Sequence, residues 1–443
     1  MSTRQELKAL ACRAIDARRD EIVGVARAIY VNPEPGFRET GTAEHVARKF
    51  AELGVPFESG IAMTGLKGRL QGGAAGPCIA IMGELDSHIV PGHLDANPHT
   101  GWAHACGHNA QIGSMLGAGA GLLADGVLPV LAGRVALVAV PAEEYIEIEY
   151  RNGLRKQNRL EFLIGKPEFI RLGAFDDVDM AMLCHTASDL DGRQIGFRGS
   201  SNGSVSKFIS FIGRAAHAGG RPHDGINALN AASLALQGIA MQRETFREDE
   251  YVRIHPIITR GGDSVSSVPA LVTMETFVRG RTVEAIQAAN AKVDRALRAG
   301  ALAIGARVQI TTLPGYMPSF YDENLVDIIK SNARDLMGTG CYEERRAHGT
   351  GSTDMGDLAQ IMPVVQPHVA GATGVGHGAD YTIVDYEQAV INPAKLMAMS
   401  AIDLLADGAV EARRIMTEYK TPMTRDQYLQ TARSFCSEEE FAG

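Results

Sequence analysis

From Thr3 to Val31 the apolar residues Leu7, Leu10, Ala14, Ile15, Ile22, Val25 and Ile29 recur at helical spacing, with charges on the opposite face. That pattern predicts one amphipathic helix. Asn32-Pro33-Glu34-Pro35-Gly36 ends it, because proline cannot continue a helix and restricts the residue before it. A second helix is predicted over Thr42 to Leu53, closed by Gly54. Short extended runs follow, Gly65 to Leu70 and Cys78 to Met82. The second is nearly all apolar, as a strand covered on both faces is. A Gly- and Ala-rich helical run, Ser114 to Leu123, and strands over Val135 to Val140 and Met180 to Cys184 continue the alternation, which is that of an α/β sandwich.

Near Gly196 the rhythm changes. Ser204 to Ile212, Val252 to Thr259 and Leu271 to Gly280 read as strands, and Asn227 to Gln242 and Thr282 to Ala303 as helices. Strand, helix, strand, strand, helix, strand is the order of a ferredoxin-like layer. Because α/β character resumes after Pro314, the expectation is an α/β domain in two parts, residues 1–197 and 315–443, interrupted by an inserted domain over 198–314. Tyr145 to Leu172 reads as a long charged and aromatic loop, the kind that often carries function. The tail after Asp407 is polar, helical at first, and carries no chemical signal.

A length of 443 residues exceeds one ordinary core and agrees with two domains. The net charge of −9, with charges interspersed and no basic stripe, argues against nucleic acid as a partner. Six scattered cysteines read as reduced thiols, Met1 to Arg19 lacks the apolar core of a leader, and no run reaches the roughly 20 apolar residues that span a bilayer. The expectation is a cytoplasmic protein with a small-molecule substrate and no membrane partner.

Chemistry enters at Ala103-His104-Ala105-Cys106-Gly107-His108-Asn109, a thiol and an imidazole two residues apart at the mouth of a helical run. Borderline-soft cations such as zinc take sulfur and nitrogen together. Further ligands must come from distant sequence. Glu143-Glu144, His185 and His377 are the candidates, the first two just past strand-like runs and His377 in a Gly-rich turn. Such positions converge at the ends of parallel strands.

These residues resemble a known family. Asn32-Pro33-Glu34-Pro35-Gly36-Phe37, Ala105-Cys106-Gly107-His108-Asn109, Pro141-Ala142-Glu143-Glu144, Gly213-Arg214-Ala215-Ala216-His217-Ala218, Ser352-Thr353-Asp354-Met355-Gly356-Asp357 and Gly376-His377 are similar, in order, to the zinc-dependent amidohydrolase and carboxypeptidase family (metallopeptidase family 20). The family contains hippurate, indoleacetyl-amino-acid and aminobenzoyl-glutamate hydrolases. The resemblance implies a catalytic α/β sandwich with a mixed sheet and an inserted ferredoxin-like α+β lid that makes a homodimer or higher oligomer. It implies Cys106, His108, Glu144, His185 and His377 as ligands of one or two divalent cations, Mn²⁺ or Zn²⁺. Glu143 would be the general base toward water the metal activates, and Asp86 would orient a ligand histidine. His217 would reach a partner's site to stabilise an oxyanion, and Arg279 would bind a substrate carboxylate.

Departures from the family pattern surround these positions. Gly83-Glu84-Leu85-Asp86-Ser87-His88 replaces a segment with two Asp flanking Met, so that Glu84, His88 and also His93 are atypical and imply an extra ligand or an altered pocket wall. Asn109 and Gln111 stand where Asp and His are common. Tyr145-Ile146-Glu147-Ile148-Glu149-Tyr150 replaces a Gly-rich segment, and Ser266-Ser267-Val268-Pro269 stands where many relatives carry a substrate-binding Asn. Arg279, Ser266 and Tyr145 are therefore the candidate substrate-binding residues. The expected reaction is hydrolysis of the amide of an N-acyl, chiefly aromatic acyl, amino acid. The alternative is an aromatic aminohydrolase of the nitroanthranilate type that releases ammonia from an aminobenzoate. A catalytically silent binding protein is a third reading, opposed by retention of every expected ligand.

Overall fold

A computed structural model describes residues 3–443, the side chains of 343–346 excepted; Met1 and Ser2, the start of the stretch read for a leader, lie outside the described residues. Strand Ala74–Glu84 is buried from Pro77 onward, as its unbroken apolar run predicts. It lies in a six-stranded mixed sheet ordered Phe57–Ile61, Gly65–Gln71, Ala132–Val140, Ala74–Glu84, Met180–Met182, Val364–Val365. The first two pairings are antiparallel and the other three parallel. Register sets Glu84 opposite Val140, so the loops that leave the parallel strands open on one edge. That edge is where α/β sheets gather ligands.

The helix expected from Ser114 begins six residues earlier, as His108–Leu122, and is buried along its whole length. A helix apolar on every face belongs in a core. Two helices, Arg4–Ala17 and Arg19–Tyr30, pack on it where one helix over Thr3 to Val31 was expected. The break is at Arg18 (φ −110°, ψ 14°). It has a packing reason. An unbroken helix of that length would run straight for about 40 Å, whereas the bend lays Ile15 against Gly121 and Ile22 against Gly117 of the same buried helix.

In the inserted segment, strands Gly203–Ile212, Leu271–Gly280 and Arg307–Pro314 pair antiparallel, and helices Ala228–Met241 and Val283–Ile304 cover one face. Val205, Ile209, Phe211, Val272, Met274 and Val278 form the core between them. The strand expected over Val252 to Thr259 is split into Arg253–Ile254 and Ile257–Arg260, both paired with Leu271–Gly280. Pro256 has no N–H for the ladder, which accounts for the interruption.

One further expectation is corrected and one is extended. Tyr145 to Leu172 is not an open loop but carries helices Ile148–Lys156 and Gly165–Leu172. Ile148, Arg151 and Leu154 make a buried face at helical spacing, and Arg151 is held by the Leu163 carbonyl (2.8 Å) and the ring of Phe37. The tail after Asp407 forms helices Val410–Glu418 and Arg425–Ser434 and then a strand, Ser437–Ala442. That strand closes the edge of the inserted sheet beside Arg307–Pro314. Arg298 and Arg307 bind its Glu439 and Glu440 at 2.6 and 2.8 Å, so a Glu-rich stretch of little strand propensity is fixed by its partners.

Candidate metal centre

The carboxyl ends of four neighbouring strands deliver the site. Asp86 follows Ala74–Glu84, Glu143 and Glu144 follow Ala132–Val140, His185 follows Met180–Met182, and His368 follows Val364–Val365. Cys106 and His108 enter from the N-terminus of the buried helix, across Gly107. Gly107 has φ +88°, and a Cβ there would lie 2.0 Å from Thr186 Oγ1, so only glycine permits the turn. His377 is itself in the left-handed region (φ 62°), its N–H bonded to the Ala105 carbonyl at 2.9 Å.

Ligand atoms of Cys106, His108 and His185 lie within 4.8 Å of one another, as do those of His88, Glu144 and His377, and those of Glu84, His108 and Glu143. Cys106 Sγ is 3.3 Å from His185 Nε2, and His377 Nε2 is 3.1 Å from Glu144 Oε1. The structure thus brings together all five residues read as ligands, with Glu143 beside them. It also adds His88 and Glu84, whose atypical identities implied an extra ligand or an altered pocket wall. His93 is elsewhere: its Nε2 donates to the Tyr381 carbonyl and its Nδ1 accepts from the Asp95 N–H, a satisfied structural histidine.

Asp86, fully buried, organises the centre. Its Oδ1 lies 3.2 Å from His108 Nδ1 and accepts the Glu143 N–H (3.1 Å), and its Oδ2 accepts the Glu144 N–H (2.9 Å). One carboxylate therefore fixes both an imidazole and the turn bearing the Glu pair. A recurring device sets the rings. Nδ1 of His108, His185 and His88 lies 2.9, 2.7 and 3.1 Å from the carbonyls of Asp86, Thr186 and Ile89. A carbonyl only accepts, so each Nδ1 carries a proton and Nε2 is the nitrogen each ring would offer to a cation.

The donor set fits a cation. His108 Nε2 and Glu144 Oε1 are buried without an aligned hydrogen bond, although Glu84 Oε2 stands 3.2 Å from the former. Burial and the Glu144 carboxylate push the Cys106 thiol up, but the charged rings of His185, His108 and His377 outweigh them and hold it well below its ordinary value. The Glu144 carboxyl is held low against its burial by His377 and His88, whose charge favours the carboxylate. Thiolate, carboxylate and imidazole in one buried cluster are the ligands divalent transition metals take. Glu143 differs. Burial, then Glu84, Asp354 and Glu144, hold its carboxyl well above the usual range, and no hydrogen bond reaches that carboxyl among the described residues.

The centre forms one end of a cavity of about 480 Å³ that Arg198, Arg253, His255, Arg279, Tyr316 and Ser352 help to line. Of the substrate-binding candidates, Arg279 is there, its Nη1 donating to Ser352 Oγ at 2.8 Å. Tyr145 is not. It is 2% exposed, packed between Phe277 and Tyr316, with its hydroxyl on the Pro314 carbonyl, and it joins the inserted sheet to the Glu143-Glu144 turn. Ser266 is exposed in a loop away from the cavity, where its hydroxyl meets that of Ser264 and its carbonyl accepts the Ala218 N–H. His217 accepts the Gly219 and Gly220 N–H groups and does not line the cavity of its own chain. Arg253 and Arg198 escaped notice in the sequence, because a lone arginine in a strand gives no signal until register shows what it faces.

The model of the peptidase family M20/M25/M40 matches residues 89–399. Among curated proteins, the chain is 26% identical over 437 residues to the Xaa-Arg dipeptidase of Mus musculus, covering 96% of this chain and 95% of that protein. It is 24% identical over 396 residues to the indole-3-acetyl-aspartic acid hydrolase of Enterobacter agglomerans, covering 86% and 85%. Among solved structures, the aminobenzoyl-glutamate utilization protein of Klebsiella pneumoniae aligns over 89% of this chain and 98% of that one with a TM-score of 0.67 at 18% identity. A dinuclear metal binding peptidase of Bacillus subtilis aligns over 88% and 99% with a TM-score of 0.62 at 21% identity.

Proposed function

The chain belongs to the peptidase family M20/M25/M40, and on that premise we propose that it hydrolyses the amide of an N-acyl amino acid. The observation that supports this best is the meeting of Cys106, His108 and His185 with Glu144 and His377 beside the Glu143 carboxyl, which lies 3.9 Å from His108 Nε2 on an arginine-lined cavity. Cys106, His108 and His185 would hold one divalent cation and Glu144, His377 and His88 a second, with manganese or zinc as the candidates. When bound, the metal supplies Lewis acidity, bringing water within reach of deprotonation near neutral pH and polarising a carbonyl.

The protein's own groups do the rest. Glu143 takes the proton from water and returns it to the leaving nitrogen, a task suited to a carboxyl whose pKa is raised toward the working pH. Asp86 keeps His108 and the Glu143 backbone in register throughout. Arg279, steadied by Ser352 and by the Phe277 ring 5.0 Å away, meets the carboxylate of the amino-acid half. His217 is assigned to the cavity of a second copy, joined through the inserted sheet, where Ile257 and Ile258 are exposed on an edge strand.

The test is a panel of N-acyl amino acids and aminobenzoates, incubated with the protein with and without Mn²⁺ or Zn²⁺. Release of a free amino acid that depends on metal is expected. Release of ammonia from an aminobenzoate instead would transfer the reading to an aromatic aminohydrolase. His88 carries its own prediction. His88→Leu is expected to weaken one of two cations by roughly 10-fold or more in chelator competition, leaving the other in place; unchanged affinity for both would remove His88 from the ligand set.

A further inference from the structure

Two arginines stand opposite each other at the cavity. Arg253 and Arg279 are direct register partners on the antiparallel strands Arg253–Ile254 and Leu271–Gly280. Directly opposed side chains lie on one face of a sheet, and like charges so placed repel. That face is turned away from the helices of the inserted segment, because the alternate residues Ile254 and Val278 enter the core beneath them.

Neither arginine has a carboxylate within ion-pair distance among the described residues. Arg279 donates to Ser352 Oγ, and Arg253 donates to the carbonyl of its neighbour Val252 at 2.9 Å. His255, two residues on, lines the same wall, and its ring is held below its ordinary pKa by burial and then by these two guanidinium groups. Arg198 also lines the cavity, but beside His368 at the metal centre, with Asp189 3.9 Å away. The acidic residues of the cavity, Glu143 and Glu144, both sit at the metal end. The wall of Arg253, His255 and Arg279 is therefore cationic, and one carboxylate on Arg279 leaves the exposed Arg253 with no carboxylate of its own.

We infer that the substrate carries a second anionic group and that Arg253, on the wall it shares with His255, receives it. This rests on the hydrolase reading above and narrows it to conjugates with two carboxylates. The second carboxylate has two sources, the side chain of the amino-acid half, as in an aspartate or glutamate conjugate, or the acyl half, as in a succinyl group. A cationic side chain in the same place would meet guanidinium groups and be repelled.

The experiment compares N-benzoyl-L-alanine, N-benzoyl-L-glutamate, N-benzoyl-L-arginine and N-succinyl-L-alanine on the metal-loaded protein. It is repeated with Arg253→Gln. One of the two dicarboxylates is expected to exceed benzoyl-alanine in kcat/KM by roughly 10-fold or more, the value of one charge-assisted contact, and which one identifies the source. In Arg253→Gln that advantage is expected to vanish, the loss on benzoyl-alanine being several-fold smaller. Calorimetric binding of L-glutamate, L-alanine and glutarate reads the same preference without turnover, so a protein that hydrolyses none of these amides would sink the hydrolase reading and still test the second anion site. Equal binding of dicarboxylate and monocarboxylate, a preference for the arginine conjugate, or no change in selectivity in Arg253→Gln would overturn the inference.

Discussion

Glu143→Gln is expected to lower kcat by roughly 10²-fold or more, the usual contribution of a positioned general base, with KM little changed and the metal content intact. The substitution keeps size and the backbone N–H that Asp86 accepts, so the turn it belongs to should hold. The other carboxylates nearby are committed. Glu144 faces His377 and His88, and Glu84 binds Lys166 at 2.6 Å and Gln111 at 2.9 Å. Of the two carboxyls that line the cavity, Glu144 has His377 Nε2 at 3.1 Å, whereas the nearest cationic group to Glu143 among the described residues is His108 Nε2 at 3.9 Å. Steady-state kinetics beside metal analysis distinguishes the outcomes. A loss under about 5-fold with full metal content, small against the range for general-base catalysis, would show that another group moves the proton. Loss of metal in step with activity would make Glu143 a ligand instead.

What was legible in the sequence follows from distance along the chain. Cys106 and His108 are two residues apart, and Glu143 and Glu144 adjacent, each beside an apolar strand or helix, so local pattern places them. His185 and His377 were candidates from local pattern and ligands only through resemblance; the parallel register shows why His185 meets the others, and the His377 N–H on the Ala105 carbonyl shows why His377 does. Asp86 was read as orienting a histidine; that it also holds both Glu N–H groups is a property of the turn, invisible in one dimension. Tyr145 and Ser266 entered from positions where relatives differ, with no physical signal for contact, and the structure gives Tyr145 to packing and Ser266 to an exposed loop beside His217, outside the cavity of its own chain. Arg253 was hidden because its meaning lies in the residue across the ladder, and the closing strand Ser437–Ala442 because three glutamates conceal it.

Lys166 makes the strongest prediction about stability. Its ammonium lies fully buried between Glu84 Oε1 at 2.6 Å and Asp354, whose other oxygen accepts the Lys166 N–H at 3.0 Å. Glu84 and Asp354 are themselves 1% and 0% exposed. Lys166→Met removes the one cation held between them and leaves two buried carboxylates facing each other and Glu143. Breaking a buried pair in this way costs about 3–5 kcal/mol, which chemical denaturation at fixed metal concentration would show as a lowered midpoint. The deficit should depend on pH. Burial already pushes the Asp354 carboxyl up to about 6 while Lys166 pulls against it, so loss of the lysine raises it further. A carboxyl whose folded pKa exceeds its unfolded value contributes stability below the unfolded value and loses it as pH rises through the folded one. The gap between variant and parent is therefore expected to widen from pH 5 to pH 8. Adding Asp354→Asn to Lys166→Met should recover part of it by removing one of the stranded charges. A deficit below about 1 kcal/mol, the scale of an exposed ion pair, or one that narrows with rising pH, would mean that the carboxylates find other partners and that Lys166 does not hold the strand end, the helix and the Asp354 loop together.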